Sequence, residues 1–180
     1  MSRSDQQLVD LVLSQGDRDA YGELVQRHQS AVRRFLFQLT RGNWAWADDL
    51  AQDSFVRAYE QLDRFRGDSS FLTWVFGIAH NQFRNGRRKE RPQVGVEEID
   101  RELGGTAPAT RASDLRDDLS AALLRLPEEE RTALHLCYQQ DLPHAEAAAL
   151  LGWPLGTLKT HLARGKEQLK LLLTPWNPAT

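Results

Sequence analysis

The chain has 180 residues, 41% of them hydrophobic and 27% charged, with a formal net charge of −2 at pH 7. That supplies apolar material for one large or two small globular domains and excludes a disordered or fibrous chain. The single cysteine, Cys137, excludes an internal disulfide and any multi-cysteine zinc site. With no apolar signal region and no run of eighteen apolar residues, the expected location is the cytoplasm, without direct membrane insertion.

The near-zero net charge hides a pattern. Arg84, Arg87, Arg88, Lys89 and Arg91 cluster around one acid, the stretch from Glu97 to Asp118 is acidic on balance, and the last helix is basic again. Two nucleic-acid surfaces joined by a non-binding linker fit this order.

In chain order, Ser4 and Gln7 form a capping box ahead of the apolar stripe Leu8, Leu11 and Val12, which Gly16 ends. Asp17 begins a second helix, in which Tyr21, Leu24, Val25, His28, Val32, Phe35, Leu36 and Leu39 recur at threes and fours. His28 has no partner at metal-ligand spacing and reads as a surface or half-buried side chain. After a turn at Arg41–Asn43, a third helix turns Ala47, Leu50, Ala51, Phe55, Ala58, Leu62 and Phe65 inward and Asp48, Asp49, Gln52, Asp53, Arg57 and Glu60 outward. Asp49 and Asp53, four apart, share a face. No histidine follows at metal spacing and no glycine-rich phosphate loop occurs, so acids complementing a helix N-terminus, or a docking face for a basic partner, are plainer readings than catalysis.

A loop from Phe65 to Ser70, with Asp68 or Ser69 as the expected cap, leads to a helix carrying Phe71, Trp74, Phe76 and Phe83, with Asn81 among them and the basic cluster behind. Aromatics beside arginines suit single-stranded nucleic acid, although FLTWVFGIA is apolar nearly all round and core packing accounts for Trp74 at least as well. Gly86 interrupts the basic run. From Gln93 to about Ser113 the composition turns to Gly, Ala, Pro and Thr without periodicity, a flexible linker.

Helices resume with Leu115, Leu119, Leu123 and Leu126, and Pro127 opens another, with Glu128, Glu129 and Glu130 in its first turn and an apolar run through Cys137 and Tyr138. The stretch from Asp141 to Lys170 reads as a short helix over Ala145–Leu151, a stop at Gly152, a restart at Pro154, and a second helix. Leu155, Leu158, Leu162 and Leu169 form the apolar stripe of that second helix; Thr157, Lys159, Thr160, His161, Arg164 and Lys166 lie on its other faces. This is a helix-turn-helix, whose second helix would enter a DNA major groove.

The motif DDLAQDSFVRAYEQLDRFRGDSSFLTWVFGIAHN resembles region two of bacterial RNA polymerase sigma factors of the extracytoplasmic-function (ECF) branch. LPEEERTALHLCYQQDLPHAEAAALLGWPLGTLKTHLARGKEQL resembles their region four. The resemblance implies an all-α protein: a helical domain at residues 1–91, a flexible acidic linker at 92–114 and a helix-turn-helix domain at 115–174. It implies a promoter-specific transcription initiation factor without cofactor, metal or enzymatic activity of its own. Asp48, Asp49, Gln52 and Asp53 match the surface that docks on the polymerase clamp helices, and the polymerase flap is a further implied contact. The loop Phe65, Arg66, Gly67, Asp68, Ser69 and Ser70, with Trp74 and Asn81, matches the pocket for a base flipped from the −10 strand, and Arg84, Arg87, Arg88 and Lys89 match contacts to its backbone. Thr157, Lys159, Thr160, His161, Arg164 and Lys166 match the −35 duplex contacts. An anti-sigma factor is implied as a further partner.

The chain departs from the family pattern with His161 where arginine is usual, Gly165 where alanine is usual and Ala147 where a larger aliphatic is usual. Histidine cannot make arginine's two bonds to guanine. Two rival readings of the same residues are a stand-alone helix-turn-helix regulator, which needs a dimer interface, and a metal-dependent enzyme built on Asp48, Asp49 and Asp53.

Overall fold

The structure is a computed structural model that describes residues 3–89 and 119–173. In chain order it contains α1 (Asp5–Gln15), α2 (Arg18–Leu39), α3 (Trp44–Glu60), a 3-10 turn (Leu62–Arg64), α4 (Phe71–Lys89), a short helix α5 at 119–124, α6 (Glu128–Leu134), a π-helical segment (His135–Gln139), α7 (His144–Leu151) and α8 (Leu155–Leu172). Among the described residues there is no strand, as the all-α reading expects. The linker at 92–114 lies outside the described residues, as does the tail beyond Leu173.

Local chemistry sets the helix ends. Ser4 and Gln7 close the capping box in both directions, at 3.2 and 2.8 Å. Gly16 takes the left-handed conformation (φ 64°) that ends α1, and Asp17 Oδ1 immediately accepts from the backbone N–H groups of Asp19 and Ala20. The cap of α4 falls one residue beyond the expected positions. Ser70, not Asp68 or Ser69, accepts from the Thr73 N–H at 3.0 Å, because Ser70 is the residue directly before the first helical turn. Gly86 does not break the basic helix, since α4 runs through it to Lys89.

α2 is the axis of the N-terminal unit and packs against α1, α3 and α4. Asp5 pins α1 to α2 by pairing with Arg27 (2.5 Å) and with His28 Nε2 (2.8 Å). His28 is therefore half-buried and occupied. In the C-terminal unit α8 packs on α6 and α7. Arg131 is fully buried there, and its Nη1 donates to the carbonyls of Leu126 (2.9 Å) and Leu124 (3.3 Å), tying α5 to α6. Burial, and the charge of Arg41, lower its pKa to about 10, so it stays charged at neutral pH. Cys137 is buried, and burial raises its thiol pKa.

The expected single helix from Pro127 through Tyr138 widens at His135 into a π-helical turn, closed by the Gln140 N–H on the His135 carbonyl at 3.1 Å. Tyr138 is not part of the apolar core. It is 48% exposed, with Lys166 Nζ 4.5 Å above its ring.

The units touch. α6 packs on α2 and α7 on α4, and one continuous cluster of buried side chains runs through both. The Phe35 ring of α2 meets the His135 ring at 5.5 Å.

The departure at Gly165 has a packing reason. A Cβ there would stand 2.8 Å from Leu134 Cδ1 and 3.2 Å from Glu130 Cβ, so glycine lets α8 approach α6. Gly165→Ala is expected to lower the melting temperature, because overpacking of about 1–3 kcal/mol exceeds the helix-propensity gain. Gly86→Ala is expected to raise it, through about 1 kcal/mol of added stability, since its Cβ meets only Trp46, at an ordinary 3.8 Å. Thermal unfolding of the two single variants checks both signs.

Candidate polymerase and nucleic-acid interfaces

On α3, successive residues turn by about 100°, which sets Asp49, Gln52 and Asp53 on the outward face; all three are exposed. Asp48 lies at the flank of that face, toward α2. Arg33 holds it in a two-pronged pair, Nε on Oδ1 at 2.6 Å and Nη2 on Oδ2 at 2.8 Å. Asp48 and Gln52 also line a shallow cleft of about 300 Å³ between α2 and α3, with Arg33 and Phe55. The sequence reading missed Val56. It sits one turn on from Gln52 and Asp53, continuing the same face, and is 58% exposed. The signal was present, since 49, 52, 53 and 56 follow a single helical stripe.

The residues matched to the −10 strand fall into two groups. At the N-terminal end of α4, Phe65 is half-buried and packs on Phe71 (5.9 Å, edge to face) and Trp74 (5.4 Å). Trp74 is itself half-buried against Phe71, so it serves this aromatic corner while keeping part of its ring accessible. Arg66, Gly67, Asp68 and Ser70 are exposed around it, Ser69 is half-buried, and Gly67 turns the loop with φ 76°. The Ser70 hydroxyl is occupied as the cap of α4. The second group lies farther along α4. Asn81 and Arg84 continue the Trp74 face, about 10–15 Å along the axis at 1.5 Å per residue, and both are exposed. Arg87 lies round toward Phe83, its guanidinium 5.7 Å from that ring. Arg88 and Lys89 fall on the last turn.

His80, on the same helix, is buried, and burial followed by the Arg84 charge lowers its pKa to about 4. It is therefore neutral at pH 7.

In the helix-turn-helix, Gly152 (φ 68°) ends α7 and Pro154 is the N-cap of α8. Leu158 and Leu162 are buried, as expected of the apolar stripe, but Leu155 is 42% exposed, because it stands in the first turn of α8, before the helix meets α6. Thr157, Thr160 and Arg164 share an exposed face, whereas Lys159 and Lys166 lie on the other flank of α8, roughly 160–200° round from Thr157. The Thr160 hydroxyl donates back to the Gly156 carbonyl at 2.9 Å. His161 is half-buried and turned onto Trp153, with ring centroids 5.1 Å apart.

Among the described residues, no three His, Cys, Asp or Glu side chains gather as a metal site, and no helix is long and apolar enough to cross a membrane.

Residues 24–93 match the family model for sigma-70 region 2, and residues 116–169 match that for sigma-70 region 4. The chain is 30% identical to the ECF RNA polymerase sigma factor SigW of Bacillus subtilis, over 88% of this chain and 91% of SigW. It is 34% identical to the RNA polymerase sigma-H factor of Pseudomonas aeruginosa, over 95% of this chain and 94% of that one. Among solved structures, the sigma factor RpoE of Bartonella quintana, in complex with the anti-sigma factor NepR, superposes with a TM-score of 0.67 at 25% identity, covering 86% of this chain and 96% of RpoE. Sigma factors are non-enzymatic. The chain belongs to the ECF group of RNA polymerase sigma factors and is a promoter-specific transcription initiation factor.

Proposed function

We propose that α3 docks on the clamp helices of core RNA polymerase, that α8 reads the −35 duplex, and that the 65–70 loop with α4 captures the −10 strand. The observation that carries the docking is the outer face of α3, where an exposed valine, Val56, continues the stripe of Asp49, Gln52 and Asp53, with Glu60 one turn beyond it. An apolar side chain set among polar and acidic ones suits a protein interface, and the acids select a basic partner. On α8 the exposed face of Thr157, Thr160 and Arg164 offers hydroxyls and a guanidinium to base edges and phosphates, and Lys159 adds charge from the flank. With His161 packed on Trp153, Arg164 is the side chain on that face able to make a two-pronged contact with guanine. Promoter melting uses binding energy: a base flipped from the −10 strand costs a few kcal/mol of unstacking, offset by contacts at the Phe65–Trp74 corner. An anti-sigma factor, as in the RpoE–NepR complex, would act by covering the polymerase-docking faces.

Asp49→Ala combined with Asp53→Ala is expected to weaken binding to purified core polymerase about tenfold at low salt, with unchanged melting temperature, since both side chains are exposed. Val56→Asp is expected to weaken it at least as much. Unchanged binding in all three positions would remove α3 as the docking surface.

A further inference from the structure

A cavity of about 760 Å³ near the basic end of α4 lies between the two units. Asn81, Arg84 and Arg87 line it from α4, and Glu128, Glu129 and Trp153 from the C-terminal unit. Arg87 and Glu128 are joined across it by an ion pair, between residues 41 positions apart in the chain. The same arginines are the ones assigned above to the −10 strand, so two carboxylates of region four stand where phosphates would stand.

We propose that Glu128 and Glu129 act as an internal competitor for the −10 strand: in the closed arrangement they occupy the basic end of α4, and DNA phosphates must displace them. The inference rests on the reading of α4 as the single-strand surface. Two observations support it. The charges are complementary, and one pair is already formed. The closed arrangement cannot serve a promoter at both ends, because elements at −35 and −10 are separated by roughly 25 positions, about 85 Å of duplex at 3.4 Å per base pair, whereas here the turn of the helix-turn-helix and the basic end of α4 share one cavity.

The test uses the full chain with Glu128→Gln and Glu129→Gln, and a control of equal charge change on the remote N-terminal helices, Asp10→Asn with Asp19→Asn. Binding of a fluorescein-labelled random-sequence single-stranded 15-mer is followed by anisotropy, and the radius of gyration by small-angle X-ray scattering. The Glu128/Glu129 variant is expected to bind at least threefold more tightly than the control and to show a larger radius of gyration. Binding no tighter than the control, or an unchanged radius, overturns the proposal. If the variant expands but the oligonucleotide binds no form of the chain, and Arg87→Ala makes no difference, the assignment of α4 to the single strand fails, and the competition with it.

Discussion

Phe35→Ala is expected to lower the unfolding free energy by about 3–5 kcal/mol, a large share of the 5–15 kcal/mol typical of such a protein. Phe35 is fully buried at the meeting point of three elements: its own helix α2, Phe76 of α4 at 4.9 Å, and His135 of the C-terminal unit at 5.5 Å. Removing the ring opens a cavity against rigid helices, which collapse poorly around it. Phe35→Leu keeps most of the volume and is expected to cost about 1 kcal/mol. Urea unfolding of the two variants checks the ratio. A loss below about 1 kcal/mol for the alanine variant would mean that the ring does not join the helices as described.

The second large effect is loss of stability in acid. His135 is 1% exposed, and burial, reinforced by repulsion from Arg34 and opposed by a hydrogen bond from Gln139 that favours the charged form, lowers its pKa from 6.5 to about 4. His80, buried beside Arg84, is lowered similarly. A histidine whose pKa falls on folding binds its proton more readily when unfolded. Its contribution to stability is therefore complete above pH 6.5, is lost as the pH falls toward 4, and changes no further below that. For His135 the loss amounts to about 3 kcal/mol, and His80 adds to it. His135→Phe keeps a ring against Phe35 but carries no proton. In urea unfolding at pH 7 and pH 4.5, the variant is expected to gain on the wild type by about 2–3 kcal/mol between the two conditions. A constant difference would place His135 in water.

Much of the fold was legible because helix ends are local chemistry. The Ser4–Gln7 box, the Asp17 cap and the glycines at 16 and 152 each act within four residues, and each acts as its residue type suggests. The cap of α4 was misplaced among neighbouring Asp68, Ser69 and Ser70, since all three can cap and only the course of the loop decides. Leu155 reads as core by spacing, but a first-turn residue reaches past its packing partner. The π-helical turn at His135 has no sequence period to announce it.

The acidic face of α3 was visible as a stripe, yet Val56 was overlooked because an apolar residue in a helix is ordinarily assigned to the core. The departure from alanine at Gly165 reflects a close helix contact, which only the distance to Leu134 reveals. The pairing of Arg87 with Glu128 could not be read at all, since it joins parts of the chain on either side of the linker.

The most direct measurement is reconstituted transcription: the purified chain added to core RNA polymerase on a library of genomic fragments, with transcript starts mapped. The expected result is a limited set of discrete starts sharing two upstream sequence elements, absent with core alone and reduced with Asp49→Ala and Asp53→Ala combined. Transcripts indistinguishable from those of core alone, with a folded chain free of any inhibitor, would contradict promoter-specific initiation by this protein.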